Sequence, residues 1–302
     1  MTQALAVDSK RTKRLRKRQE KKASKSSLAY ASGFLDLPHE IFLEILAILR
    51  PRDLLALSWV SQPLRQFILA EEDHITKTVI ATRYAALAKC FPRPVLLEHV
   101  DPASRPALQS PLRSKVQALH QRPFQHIQPP DPSVVCTCLT CILRWNSLCL
   151  ALDFAHWQDN LDKGEPIPMI PRGTSPQWNQ QLIARHADHV AWSLMRPLWY
   201  AMILEAHLDS TIRSIRRHGL NKGNRRRRFR MTEEDVRAGT DAFLERSGPP
   251  TVDTPYHRDN YYMLEAYLPN RSWIADRGRW VYVQADQHDR DVQIAVLWSS
   301  SS

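Results

Sequence analysis

Apolar residues recur at helical spacing in three consecutive segments between Phe34 and Leu69. The first segment opens at Pro38, since proline's fixed backbone angle suits the first turn of a helix, and apolar residues then follow every three or four positions. Pro51 ends this segment and begins the second, and Ser61 can cap the third, which has another proline in its first turn. The pattern predicts three short amphipathic helices.

These three predicted helices have little chain with which to cover their own apolar stripes. A segment of fewer than about 40 residues usually needs a partner, a metal or disulfides to be stable. We therefore expect another protein, or the rest of this chain, to cover the apolar side of the trio.

The rest of the chain changes composition twice. Residues 91–132 contain nine prolines, which predicts an irregular connector with one helix near residues 113–120. Beyond it the apolar spacing again predicts helices, among them one that is capped by Thr232 and stops before Gly248. The segment RWVYVQADQHDRDVQIAVLW instead alternates apolar and polar residues around a polar loop, which predicts a β-hairpin near the C-terminus.

The predicted fold class is mainly α. The helical trio is followed by an α-rich C-terminal domain with a small terminal β-hairpin. The boundaries follow the changes in composition. They give a basic tail over residues 1–32, the trio over 33–75, a helical and proline-rich connector over 76–132 and the C-terminal domain over 133–302.

Positive charge is concentrated at the N-terminus. Of the formal net charge of +11, residues 1–34 supply +8 through ten basic and two acidic side chains. We expect a disordered arm, which is either a nuclear localisation signal, a nucleic-acid patch or a solvated tail. No segment has the pattern of a signal peptide or a membrane helix, which predicts an intracellular protein of the nucleus, the cytoplasm or both, without a membrane partner.

The helical trio resembles the F-box. The stretch LPHEIFLEILAILRPRDLLALSWVSQPLRQFI carries the pattern of that family. The matching positions are Leu37, Pro38, Glu40, Ile41, Ile45, Leu46, Leu49, Asp53, Leu54, Leu55, Val60, Ser61, Arg65 and Ile68. The resemblance implies that the trio docks on the Skp adaptor of a cullin–RING ubiquitin ligase, while the rest of the chain presents a substrate protein.

On this resemblance the chain is a non-catalytic adaptor that holds a target protein for ubiquitin-dependent degradation. The residues expected to form or support the Skp-facing surface are Leu37, Pro38, Ile41, Ile45, Leu46, Leu54, Leu57 and Val60. The C-terminal part, with WNSLCLALDFAHWQ and HRDNYYMLEAYLPNRSW, is similar to that of fungal F-box proteins with undefined substrates. This second resemblance carries no activity with it.

The cysteine spacing is compatible with a metal site. Five cysteines are an odd number and do not describe a disulfide framework. Cys136, Cys138 and Cys141 supply three soft ligands, and Cys149 or His156 on the following helix is a possible fourth, so a structural zinc site is one interpretation. Ordinary buried cysteines are the other interpretation. No other cofactor is expected.

His257, Asp259 and the more distant His288 have the ligand types of a two-His-one-carboxylate iron site. Such a site needs strands to hold it, and the sequence around these residues is as compatible with helix. A kinase is excluded more directly, because no Gly-rich loop, strand lysine or metal-binding Asp motif accompanies the HRD triplet. A structural hydrogen-bonded cluster of His257, Arg258 and Asp259 is the simpler interpretation.

An arginine-rich run lies between two predicted helices of the C-terminal domain. Its candidates for binding a substrate are Arg225, Arg226, Arg227, Arg228 and Arg230. Such a run suits phosphate groups, an acidic or phosphorylated degron or a second nuclear signal, and it is also compatible with a solvated surface that nearby acids neutralise. The alternative function is therefore a nuclear nucleic-acid-binding protein that uses its two basic clusters.

Overall fold

The structure is a computed structural model. It describes residues 10, 13–19, 37–111, 113, 124–171, 173–221, 223, 229–246, 248–252, 255–283 and 287–300. In these residues the fold is mainly α with a small antiparallel hairpin near the C-terminus, which confirms the predicted fold class. No helix in this part of the chain is both long enough and apolar enough to cross a membrane.

Most of the predicted basic arm, and the predicted helix near residues 113–120, lie outside the described residues. In the arm, residues 13–19 are helical with exposed side chains, where the sequence predicts disorder. The segment consists of Lys, Arg, Leu and Gln, which all have high intrinsic helix propensity, and this accounts for the difference.

The chain divides into two compact units, residues 1–46 and residues 47–302. Helix α1 spans His39–Ile48, so the boundary between the units falls near its C-terminal end. Phe42 and Leu46, four positions apart, are its buried side chains. This spacing confirms the amphipathic helix that the sequence predicts here.

The second unit consists of helices of very different lengths. They are α2 (Pro51–Ser58), α3 (Gln62–Ala70), α4 (Glu72–Arg83), α5 (Ala85–Cys90), α6 (Arg105–Leu108), α7 (Leu139–His156), α8 (Gln158–Lys163), α9 (Gln177–Met195), α10 (Pro197–Leu220), α11 (Glu233–Ala238), α12 (Ala242–Arg246) and α13 (His288–Ser300). Short 3₁₀ turns occur at Leu97–His99, Arg258–Tyr262, Leu264–Tyr267 and Ala275–Arg277. Ser61 caps α3 as predicted, since its hydroxyl accepts a hydrogen bond from the Leu64 N–H at 3.4 Å.

The sheet is a two-stranded antiparallel hairpin. Its strands are β1 (Arg271–Ile274) and β2 (Arg279–Tyr282). Trp273 lies opposite Trp280 in the register, and their rings are in contact with centroids 5.2 Å apart. Gly278 begins the return into β2 with a left-handed φ of 54°, a conformation that favours glycine.

The predicted position of the hairpin is wrong in one respect. The second alternating segment of the sequence forms helix α13, and β2 pairs with the preceding strand β1. Periodicity alone does not separate a short apolar strand from a helix. In α13 the buried side chains are Val292 and Ala295, which are three positions apart, as on one side of a helix.

The predicted helix that starts after Thr232 is also shorter than expected. Its cap is confirmed, because Thr232 and Asp235 form a capping box. Gly239, with a left-handed φ of 60°, then ends α11, and a separate helix α12 follows.

Helix α10 is the central element of the second unit. It packs against α2, α4, α7 and α9, and the shorter α5 and α8 also contact it. One of its buried side chains is His207, whose ring contacts those of Phe91, Phe154 and Tyr267. The helices around α10 therefore share one apolar core.

Two buried glutamates cap helices across this core. Glu205 on α10 accepts hydrogen bonds from the backbone N–H of Arg52 at 3.0 Å and from its Nε at 2.7 Å, at the start of α2. Glu72 of α4 accepts from the N–H of Leu198 at 3.0 Å and from Nε of Arg196 at 2.8 Å, at the start of α10. Neither α2 nor α10 has a local side-chain cap, so a distant carboxylate satisfies each N-terminus.

Two aspartates act in the same way on other helices. Asp241 accepts from the N–H of Leu87 in α5 at 2.7 Å, and Asp291 of α13 accepts from the N–H of Thr140 in α7 at 2.9 Å. The residues joined by these bonds lie 154 and 151 positions apart in the sequence. Distant carboxylates are therefore a repeated means of joining helices in this fold.

The second and third helices of the trio lie in the second unit. Helices α2, α3 and α4 belong to the same compact unit as α7, α9 and α10. The physical reason is the direct packing of α2 and α4 on α10, together with the two buried glutamate caps.

The cap on α2 makes a testable prediction about stability. Glu205→Ala should lower the free energy of unfolding by about 2 kcal/mol or more, because it removes charged hydrogen bonds and leaves a helix N-terminus unpaired. Asp209 is the matched control, since it pairs with the same Arg52 but is 47% exposed, against 6% for Glu205. Asp209→Ala should cost no more than about 1 kcal/mol. Urea unfolding followed by circular dichroism measures both, and equal losses would contradict the capping role.

His207 makes a second prediction, about pH. Burial lowers the pKa of His207 to about 4, although the hydrogen bond of Nε2 to the Tyr267 carbonyl at 2.7 Å opposes the shift. Because the unfolded pKa is about 6.5, the unfolded chain binds the proton first, and stability is lost as pH falls from about 6.5 toward 4.

The test compares the chain with His207→Gln, which keeps an N–H donor and does not titrate. Between about pH 7.5 and about pH 5, the unmodified chain should lose roughly 2 kcal/mol more unfolding free energy than the variant. Urea unfolding at each pH measures the difference. Parallel pH profiles would show that His207 is not held neutral in the folded state.

Candidate functional site

The predicted Skp-facing residues of the first unit differ in exposure. Leu46 is buried, Leu37 and Ile45 are half-buried, and Pro38 and Ile41 are exposed. Leu46 therefore supports the fold, whereas Pro38 and Ile41 are accessible to a partner.

The predicted residues of the second unit divide in the same way. Leu54 on α2 is buried, Leu57 is half-buried, and Val60 after the end of α2 is exposed. On α3, Leu64 and Ile68 are buried. The apolar stripes of α2 and α3 therefore face the interior, and the accessible apolar side chains lie at the turn between the two helices.

Trp59 and Val60 are the most prominent side chains at that turn. Their exposed fractions are 75% and 71%, which is unusual for large apolar residues. Trp59 lies five positions after the buried Leu54, which puts it on another side of α2. This spacing could have indicated from the sequence that Trp59 is accessible. Trp59 is nevertheless not among the residues predicted to face the Skp adaptor.

The turn borders an open depression of about 630 Å³. Its lining residues are Ser58, Trp59, Val60, Ser61, Gln62, Arg65, Gln66 and Leu69. The lining combines apolar side chains with amides and one arginine, and it contains no carboxylate. Such a surface suits a partner that offers an apolar segment next to an acidic or polar one.

A second open depression, of about 540 Å³, lies in the C-terminal part. It is lined by residues between Pro250 and Ser272, among them the exposed Val252, Tyr256 and Met263. Polar groups of Asn260 and Glu265 also contribute to the lining. The surface is mixed in character and gives no catalytic arrangement.

Most of the arginine-rich run lies outside the described residues. These are Arg225, Arg226, Arg227 and Arg228. Arg230 is described and exposed. Next to the run, Arg216 forms an exposed ion pair with Glu233 at 2.8 Å, so part of the basic charge in this region is locally compensated.

Three of the predicted metal ligands lie close to His288, which sequence analysis did not assign to the cysteine group. Cys136, Cys138, Cys141 and His288 have ligand atoms that all lie within 4.8 Å of one another. The three cysteines are fully buried and unoxidised, and His288 is the first residue of α13. Cys149 is not part of this group, because it lies two turns farther along α7, about 12 Å from Cys141.

Hydrogen bonds join the four side chains and the backbone around them. Nδ1 of His288 lies 3.4 Å from Sγ of Cys138 and 3.3 Å from Sγ of Cys141. Hydrogen bonds with the Cys138 and Cys141 thiols lower the pKa of Cys136 to about 4, and hydrogen bonds with Cys136 and Cys138 raise the pKa of Cys141. These bonds therefore favour ionisation of Cys136 over that of Cys141.

The HRD triplet does not form an iron site in the structure. Arg258 is buried and pairs with Asp153, Nε to Oδ2 at 3.0 Å, while His257 and Asp259 are exposed. His288 lies with the cysteines instead. The structure thus gives Arg258 a structural role, but the exposed His257 and Asp259 do not lie with it in the buried cluster that the sequence predicts.

The N-terminal part of the chain is similar to a known domain family. Residues 34–75 match the family model of the F-box domain. No curated protein and no solved structure shows significant similarity to the chain. The match covers α1, α2, α3 and the beginning of α4, including the exposed turn at Trp59 and Val60.

F-box domains bind the Skp adaptor and through it a cullin scaffold, and F-box proteins are generally non-catalytic substrate adaptors. The domain match agrees with the three helices, the proline starts and the Ser61 cap described above. On this evidence the chain contains an F-box domain at residues 34–75.

Proposed function

We propose that this protein is the substrate-recognition adaptor of a Skp–cullin–F-box ubiquitin ligase. The F-box docks on the Skp adaptor, and the C-terminal part binds a target protein. The single observation that carries the proposal is the F-box domain at residues 34–75. The exposed apolar turn after α2 supports it, because a docking surface needs accessible apolar anchors.

In this role the chain contributes proximity and no bond chemistry. A tethered target has a high effective concentration near the ubiquitin-conjugating enzyme, which accelerates transfer to its lysines. Among the described residues, the groups with the strongest hydrogen-bonded networks serve the fold, as Asp153 with Arg258 and Glu205 with Arg52 do. The adaptor role requires no further catalytic group.

Trp59 is the expected centre of the docking surface in the second unit. Large aromatic side chains at interfaces bury much apolar area with little loss of side-chain entropy, and they dominate binding energy. Val60 extends the apolar surface next to it, and Leu69 also lines the depression. Because these side chains are exposed, their removal should leave the fold intact.

The target-binding surface is proposed to lie in the C-terminal part. The depression near Tyr256 offers mixed apolar and polar groups for a peptide segment, and the arginine-rich run suits an acidic or phosphorylated degron. The alternative is a nuclear protein that grips nucleic acid with its basic clusters. The two functions differ in salt dependence, since phosphate binding weakens steeply with ionic strength and apolar docking does not.

Deleting the F-box is not a clean test, because α2 and α4 pack on α10 and Glu72 of α4 caps α10. Surface substitutions are better. Trp59→Ala with Val60→Ala should weaken binding to the purified Skp adaptor at least about 30-fold, which corresponds to about 2 kcal/mol for lost interface anchors. Calorimetry at low and high salt measures the affinity, and unfolding should change by no more than about 0.5 kcal/mol.

The matched control is Met169→Ala with Leu220→Ala, which removes two side chains that are 71% and 83% exposed outside the F-box. This pair should leave Skp binding unchanged. Binding by the unmodified chain should survive high salt. An unmodified chain that does not bind the adaptor at either salt, or a Trp59/Val60 variant that binds as well as the control, would refute the proposed docking.

A further inference from the structure

We infer that Cys136, Cys138, Cys141 and His288 bind one Zn²⁺ in a closed structural site that joins the last helix of the chain to the start of α7. The inference does not depend on the F-box or on the proposed function. It rests on the positions of the four ligand atoms, on the backbone groups around them and on the way in which α13 is held.

The positions of the ligand atoms fit tetrahedral zinc. Bond lengths of about 2.3 Å to sulfur and about 2.0 Å to nitrogen place neighbouring ligand atoms roughly 3.5 to 3.8 Å apart. Nδ1 of His288 is 3.4 Å and 3.3 Å from the two nearest sulfurs. No pair in the group exceeds 4.8 Å, so adjustments of about 1 Å or less complete the tetrahedron.

Each sulfur also accepts a backbone hydrogen bond. Cys136 Sγ accepts from the N–H of Cys138 at 3.5 Å, Cys138 Sγ from the N–H of Cys141 at 3.4 Å, and Cys141 Sγ from the N–H of Val95 at 3.4 Å. Cys138 is the N-cap of α7. The positive end of that helix and three donors favour thiolates, which are the form of cysteine that binds zinc.

The imidazole is oriented as a metal ligand. Nδ1 of His288 points to the sulfurs, and Nε2 lies 4.0 Å from a carboxylate oxygen of Asp289. When Nδ1 binds a metal, the ring proton is carried by Nε2. His288 itself is only 17% exposed, so the ring is held at the group rather than in solvent.

The surroundings indicate a structural rather than a catalytic site. Four protein ligands fill a tetrahedral zinc site and leave no position for water or substrate. The three cysteines share an apolar cluster with Leu97, Val100 and Leu108 and with the α13 residues Val292 and Ala295, which shields the site from solvent.

Zinc would strengthen a junction that is already present between distant parts of the chain. His288 is 150 residues from Cys138, and Asp291, one turn later on α13, caps the N-terminus of α7 through Thr140. A bond at His288 therefore closes a very long loop at the position where α13 meets α7. Such closure restricts the unfolded chain more than it restricts the folded one.

The first test is the metal content of the full chain, purified under reducing conditions without chelator. Mass spectrometry of the metals should find close to one zinc per chain. A metal-free chain, a chain that carries iron instead, or a disulfide among Cys136, Cys138 and Cys141 in peptide mapping would overturn the inference.

Two matched pairs of variants test the ligand set. Cys141→Ala and His288→Ala should each lose most of the bound zinc, whereas Cys149→Ala and His156→Ala, which change a cysteine and a histidine of α7 outside the group, should keep it. Equal zinc in all four variants would mean adventitious binding and would overturn the proposed site.

Cobalt and a chelator provide readouts that do not require every variant to fold. The unmodified chain, stripped and reloaded with Co²⁺, should show the intense visible absorption of a tetrahedral thiolate site. A chelator should lower its thermal midpoint and leave that of His288→Ala unchanged. Octahedral cobalt spectra, or equal sensitivity to the chelator in both proteins, would contradict the inference.

Discussion

The buried carboxylate caps are the constraint on which the rest of this structure depends. Glu205 on α10 satisfies the N-terminus of α2, and Glu72 on α4 satisfies that of α10. Each is nearly buried, so its charge is tolerable only while its partners are in place. The packing of α2 and α4 on the central helix α10 is therefore stabilised by these bonds as well as by apolar contact.

Local signals in the sequence predict the F-box helices well. Proline starts, the Ser61 cap and the spacing of Leu54, Leu64 and Ile68 are confirmed by the structure, because they depend on neighbours within one or two turns. The mainly α fold class follows from the same spacing in the longer helices. These features need no knowledge of distant residues.

The features that sequence analysis missed are non-local. No pattern near Arg52 reveals that its N–H is capped from α10, and no spacing rule connects His288 with cysteines about 150 positions earlier. The assignment of α13 as a strand failed for a related reason, since a short apolar run takes its conformation from what it packs against. The exposure of Trp59 likewise depends on which side of α2 is covered by α10.

The packing of α2 and α4 on α10 has a consequence for the proposed role in ubiquitin transfer. In an adaptor with a flexible linker, a bound target explores a wide volume and many of its lysines can be modified in turn. Here the exposed turn at Trp59 and the C-terminal helices belong to one compact unit. A target held by this unit would present a narrow zone of its surface, so the choice of modified lysine would be decided by geometry rather than by chance encounter.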